Sequence, residues 1–194
     1  MAVTISSPPA IEPITLTELK LHLRVDGTDE DTLIESLLTV ARAHCESFTR
    51  RQFITATLVL NLDKFPSDEV ILLPYPPIQS PLTSVKYYDA DGTQQTLTVT
   101  TDYVVDVASE PGRLMPAYGK SWPTTREIMN AVEITYKAGY GLKTADVPEG
   151  LKAAIKLLAT HLYERREAVS EKSLNVVPLA IESLLWQYRV MELQ

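Results

Sequence analysis

Two amphipathic stretches of helical period, centred more than a hundred positions apart, most constrain how this chain folds. Residues 147–167 (VPEGLKAAIKLLATHLYERRE) place Leu151, Ala154, Ile155, Leu158, Leu162 and Tyr163 on one stripe. Lys152, Lys156, Thr160 and Glu164 fall mostly on the other side. Asp146 or Val147 can cap this helix. Pro148 suits only its first turn, and Arg165 and Arg166 sit where the helix dipole favours cations. Residues 30–49 carry the matching stripe: Leu33, Ile34, Leu37, Leu38, Ala41, Cys45 and Phe48. A helix with one apolar stripe must bury it. The spacing therefore predicts that the two close on each other and that the chain between them loops out.

At 194 residues the chain can bury a sizeable core. Its single cysteine excludes an internal disulfide and fits a reducing compartment. No apolar run approaches the roughly 20 residues of a membrane span. The first residues, MAVTISSPPAIEP, lack the basic start and apolar core of a signal peptide, and their prolines suggest an extended arm over 1–14. These features predict a protein made and used in the cytoplasm, with no membrane partner. The formal charge of −7 argues against wrapping nucleic acid by neutralising phosphates. It suits a surface that DNA slides past.

After the arm, Thr15 and Glu18 form a capping-box pattern ahead of a short helix over 15–25. The acidic run 26–31 (DGTDED) lacks the later glycine and distal glutamate of a calcium loop. It reads as a turn at Gly27, with Thr28 or Asp29 capping the next helix and Glu30 and Asp31 complementing its dipole. Cys45 faces the core beside Ala41 and Phe48, as a buried thiol rather than a nucleophile. His44 points about 100° away, so the two do not pair.

From Thr55 onward the period changes. Leu58, Leu60 and Leu62, Leu97 and Val99, Tyr103, Val105 and Val107, and Val132, Ile134 and Tyr136 alternate as strands do. Turn signals separate them at 64–68, 74–77, Asp91-Gly92 and 110–112. Residues 85–100 read as a hairpin turning at Asp91-Gly92; Asp89 and Asp91 belong to that turn rather than to a metal. Beyond the second long helix, 170–177 reads as a connector. Pro178 then starts a last helix with Leu179, Leu184, Leu185 and Tyr188 on its apolar side. The predicted class is α+β: an antiparallel bundle of N- and C-terminal helices (15–54 and 147–194) with a β-rich insertion over 55–146.

The chemistry of catalysis is missing. His22, His44 and His161 are scattered, no two at a metal-ligand spacing. No phosphate-binding loop, dinucleotide fingerprint or nucleophile elbow is present. The sequence predicts no enzyme, no catalytic residue, no cofactor and no metal. Binding or architecture remains, and a wedge-shaped protomer with a heterologous interface closes into a ring. A rival reading is a carbohydrate- or protein-binding module with Tyr75, Tyr87, Tyr88, Tyr118 and Trp122 on one face of the β-rich part. A hydrolase with an unrecognised site is a third.

The order of several segments resembles a known family: PITLTELKLHLRVDGTDEDTLIESLLTVARAHCESFTRRQFI, YPPIQSPLTSVKYYDADG, Trp122-Pro123, NAVEITYKAGYG, VPEGLKAAIKLLATHLYERRE and LLWQYRV. It is similar to the head-tail connector, or head-completion adaptor, proteins of long-tailed phages and gene transfer agents, from about residue 14 to the end. The resemblance implies a twelve-fold ring under a portal protein that extends the DNA channel and receives a tail-side stopper or tail terminator protein. DNA passes without specific binding, and the protein moves from host cytoplasm to particle neck. It also implies that a C-terminal segment, 170–194, changes conformation and grips the portal. Lys172, Leu174, Leu185, Trp186, Tyr188 and Arg189 are the candidates there, and Asp26, Asp29, Glu30 and Asp31 are candidates for facing the channel.

Overall fold

A computed structural model describes residues 2–165 and 179–191. The chain divides into two compact units, one of residues 11–54 and 141–191 and one built on 1–10 and 55–140.

The first unit holds the helices. Thr15 caps α1 (Leu16–Leu23) with the full capping box: its hydroxyl accepts from the Glu18 N–H at 3.1 Å, and its own N–H donates to the Glu18 carboxylate at 2.9 Å. Arg24, in the left-handed conformation, ends the helix. Helix α2 (Asp31–Thr49) begins at Glu30, which makes no side-chain cap, so neither Thr28 nor Asp29 caps it. Helix α3 (Glu149–Glu164) begins after Pro148 rather than at Asp146 or Val147. Asp146 lies in a 3-10 turn (Thr144–Asp146), where its carboxylate accepts the Lys143 N–H. Helix α4 covers Leu179–Trp186.

Helices α2 and α3 pack together through Ile34, Leu38, Ala41 and Cys45 on one and Leu151, Ala154, Ile155 and Leu158 on the other, all buried. Lys152, expected on the outer side, is also buried and pairs with Glu149 at 2.5 Å. Its long apolar stem allows that placement.

The second unit is antiparallel β. Five strands lie in the order β1-β2-β8-β4-β5: β1 (Ala2–Ser7), β2 (Ala56–Leu62), β8 (Val132–Ala138), β4 (Ile78–Tyr88) and β5 (Gln94–Leu97). Three more, β3 (Ile71–Leu73), β7 (Gly112–Pro116) and β6 (Tyr103–Asp106), form a second sheet in that order. The β4–β5 hairpin turns at Gly92, whose φ of 87° favours glycine. The Asp89 carboxylate holds that turn by accepting the N–H groups of Asp91 and Thr93. Inward residues of β2 and β8, Leu58, Leu60, Val132, Ile134 and Tyr136, meet Leu73, Val85 and Leu114 in one core. Burial alternates strictly along β8, as period-2 patterning requires.

This architecture corrects the expected fold class. The described chain carries eight strands in antiparallel sheets of five and three beside four α-helices, and no bundle of N- and C-terminal helices forms. Helices α1 and α4 span eight residues each; α1 buries only Leu19, and α4 only Ile181 and Leu185. Stripes that narrow cannot make further bundle layers. The expected N-terminal arm differs too, because residues 2–7 form β1, paired with β2 from Ala2 opposite Asn61 to Ser7 opposite Thr57. Strands β3 and β7 had no alternating run long enough to mark them.

Candidate interaction site

The helical unit carries one compact cluster of aromatic and cationic side chains. Phe48 stands in the last turn of α2 and meets Trp186 edge to face, with ring centroids 6.0 Å apart. The Arg189 guanidinium lies over both rings, 5.2 Å from the Phe48 centroid and 4.8 Å from that of Trp186. Cation–π contacts contribute about 0.5–1 kcal/mol at an exposed site and so help to orient the arginine. Trp186 remains 50% exposed, a large apolar surface presented to solvent.

The backbone around this cluster is tied down. Val190 donates its N–H to the Thr49 carbonyl at 3.0 Å, Arg51 donates Nε–H to the Tyr188 carbonyl, and Ile181, Leu185 and Val190 are buried. Tyr188 crowds Gly150: a Cβ added there would stand 2.6 Å from the Tyr188 hydroxyl. Glycine at the start of α3 thus makes room for the tyrosine.

Beside Arg51 lies a buried polar network that sequence patterning did not find. Glu46 accepts from Arg42 Nη1 at 2.7 Å, from Gln52 Nε2 at 2.8 Å and from the Phe53 N–H at 2.9 Å. Arg42 also donates Nε–H to Glu12 at 2.6 Å, and Thr39 donates to the same carboxylate at 3.0 Å. Burial pushes the Glu46 carboxyl above its ordinary range, against the opposing pull of Arg42 and the Phe53 N–H. For Arg42, burial lowers the guanidinium, but its bond to Glu12 and the charge of Glu46 outweigh that and hold it high. Only the i, i+4 spacing of Arg42 and Glu46 was visible in the sequence.

Of the portal-binding candidates, Trp186 is exposed, Tyr188 and Arg189 are half-buried, and Leu185 is fully buried, so Leu185 anchors α4. Lys172 and Leu174 lie outside the described residues. Of the 170–194 segment, residues 179–191 are held by the buried Ile181, Leu185 and Val190 and by the Val190–Thr49 backbone bond. Among the acidic candidates, Asp26 and Asp29 are exposed, Asp31 pairs with Lys20 at 2.5 Å, and Glu30 accepts the Tyr163 hydroxyl. The structure thus engages two of the four in pairs.

No group of three or more His, Cys, Asp or Glu side chains among the described residues is placed to hold a metal ion. Cys45 is buried, and burial, with the Glu46 charge alongside, pushes its thiol up to about 12. No described helix is long and apolar enough to cross a membrane.

The β unit has an open pocket of about 920 Å³ lined by Phe65, Trp122, Pro123, Arg126, Ile128 and Met129, among others. Phe65 and Trp122 stack at 4.6 Å with their planes 4° apart, Tyr87 meets Phe65 edge on, and Trp122 donates Nε1–H to the Glu69 carbonyl. Tyr87 and Trp122 therefore serve packing. Tyr118 is fully exposed on the loop after β7, and Tyr75, with a φ of 60°, is partly exposed before β4.

Comparison with known proteins follows the same lines. No curated protein matches the chain. Three solved structures share its fold across 100% of this chain and 98% of theirs. One is a chain of the virion of a native gene transfer agent particle, at TM-score 0.81 and 23% identity. Another is from the neck of an empty gene transfer agent particle computed with C6 symmetry, at 0.80 and 23%. The third is from the neck of a native particle computed with C12 symmetry, at 0.74 and 22%. Residues 12–189 match the family described as head completion protein, and this chain belongs to that family.

Proposed function

We propose that the protein docks as a ring beneath a portal protein, extends the channel through which DNA passes, and presents its other side to a tail-side stopper or terminator protein. It does this as a non-enzymatic part, made in the host cytoplasm and carried into the particle neck. The observation that carries the reading is the half-exposed Trp186, held by Phe48 and Arg189 at the end of a helix whose following residues are tied to the end of α2. A tryptophan and an arginine fixed before binding lose little entropy on docking, and these are the residue types that dominate binding hot spots.

Trp186, Tyr188 and Arg189 are the portal contacts in this reading, with Lys172 and Leu174 in the preceding segment. Asp26 and Asp29, both exposed, are the acidic side chains for the lumen in this reading. Together with the net charge of −7, they repel phosphate and let DNA pass without specific binding. The twelve-fold ring is supported by the fold neighbour whose neck was computed with C12 symmetry.

The test mixes the full chain with its portal protein and separates the mixture by size, with electron micrographs of the complex. A ring on the portal is expected. The Trp186→Ala, Arg189→Glu double variant should melt near the unaltered protein yet lose at least tenfold in portal affinity. Unchanged affinity would remove the assigned contacts, and no complex at all would remove the connector reading. Truncating at 170 is a poorer test, since it strips the buried Ile181 and Leu185 from the core.

A further inference from the structure

The five-stranded sheet is open at both ends, and both of its outer strands are unguarded. Among the described residues, no further strand pairs with β1 or with β5. Edge strands normally carry lysine, inward charge or proline, because a free row of N–H and C=O groups recruits other chains. Here β1 reads AVTISS and β5 reads QQTL, without one charged residue or proline between them. Five of the six β1 side chains are exposed, Ile5 at 55%, so this strand gains little burial at home.

Strand direction decides what such edges accept. Every pairing in the sheet is antiparallel, so over five strands β1 and β5 run the same way. We infer that the outer edge of β5 on one copy pairs with the outer edge of β1 on the next copy as a parallel ladder, joining the β units of neighbouring subunits. This rests on the ring reading above. A ring needs two different, complementary patches on each protomer, and the two edges of one sheet are such a pair. The rotation relating neighbours in a sixfold or twelvefold ring keeps strand direction within about 60°, which gives parallel pairing. A two-fold dimer would instead pair β1 with β1 in opposite directions. Parallel ladders are slightly weaker per residue, and four residues of β5 make a short one. The contact therefore forms when other contacts have already placed the subunits side by side.

The experiment uses disulfide trapping, because Cys45 is buried and stays out of the reaction. Full-length Thr4→Cys is combined in turn with Gln94→Cys, Gln95→Cys and Thr96→Cys, all at exposed positions. Each variant is assembled on portal rings, oxidised and run without reductant. A covalent ladder beyond the dimer is expected from at least one double variant, and none from the single variants. Dimers from Thr4→Cys alone, or rings visible in micrographs with no ladder from any of the three, overturn the edge pairing while leaving the connector reading intact. Absence of rings overturns both. As a second readout without cysteine, Thr4→Lys should lower ring assembly at least tenfold with the melting temperature unchanged, whereas Thr4→Ser should not. Equal assembly by both variants speaks against the pairing.

Discussion

Arg51, just past the end of α2, donates its Nε–H to the backbone carbonyl of Tyr188, 137 positions further along the chain. That bond and the Val190–Thr49 backbone bond fix where the last helix ends, and so where Trp186 points. Removing the guanidinium leaves a carbonyl without this donor, and hydrogen bonds from charged groups contribute about 1.5–3 kcal/mol. Arg51→Ala should lower unfolding free energy by roughly 2 kcal/mol on that basis. Hydrogen exchange should quicken in α4 ahead of α3; uniform loss of protection across both helices would show that the bond does not act locally.

Glu46 gives a signed pH dependence. Its folded carboxyl holds a proton to higher pH than the ordinary 4.5, because burial disfavours the charge. The folded state thus binds more protons than the unfolded one in that window. The stability from this difference is full below about 4.5 and is lost as pH rises through the folded value. Glu46→Gln removes the titration, so the stability gap between native and variant should shrink as pH is raised from 4 to 7. Denaturant melts at several pH values measure it, and a gap that widens would reverse the assignment.

Leucines at matched chemistry should separate core from surface. Leu60 is fully buried between strands, whereas Leu21 on α1 is 81% exposed. Leu60→Ala should cost about 2–5 kcal/mol, and Leu21→Ala within about 0.5 kcal/mol of nothing. Equal melting temperatures for the two variants would contradict the packing described.

Cys45 should resist thiol reagents in the folded protein and react once denaturant unfolds the helical unit. Its burial and raised thiol both act against thiolate formation. Labelling followed by mass spectrometry checks this. Rapid modification in native buffer would mean that α2 opens readily.

Much of the local structure was written in the residues themselves. Thr15 and Glu18 specify their capping box, Asp89 and Gly92 their turn, and the alternation of Val132, Ile134 and Tyr136 their strand, because each depends on neighbours a few positions apart. The apolar stripes around Leu38 and Leu158 were legible for the same reason. Position in the larger architecture was not. Val3, Thr4 and Ile5 are strand formers, yet nothing within 2–7 says that the edge of β2 is the ladder they join.

The site divides the same way. Trp186 and Arg189 stand out by residue type, yet nothing near them in sequence announces Phe48, 138 positions earlier. In the Glu12–Arg42–Glu46–Gln52 network only Arg42 and Glu46 share a helical spacing, while Glu12 and Gln52 join from outside α2. Hydrogen bonds and side-chain period over a few residues settle the α1 cap, the Asp89–Gly92 turn and the faces of the strands, so the residues alone were enough to read them. Packing between distant segments alone decided that residues 2–7 join a five-stranded sheet, that Leu185 is buried while Trp186 is exposed, and that among the described residues no further strand covers β1 or β5. Those outcomes depend on which distant surfaces meet and exclude water, and no local pattern encodes that choice.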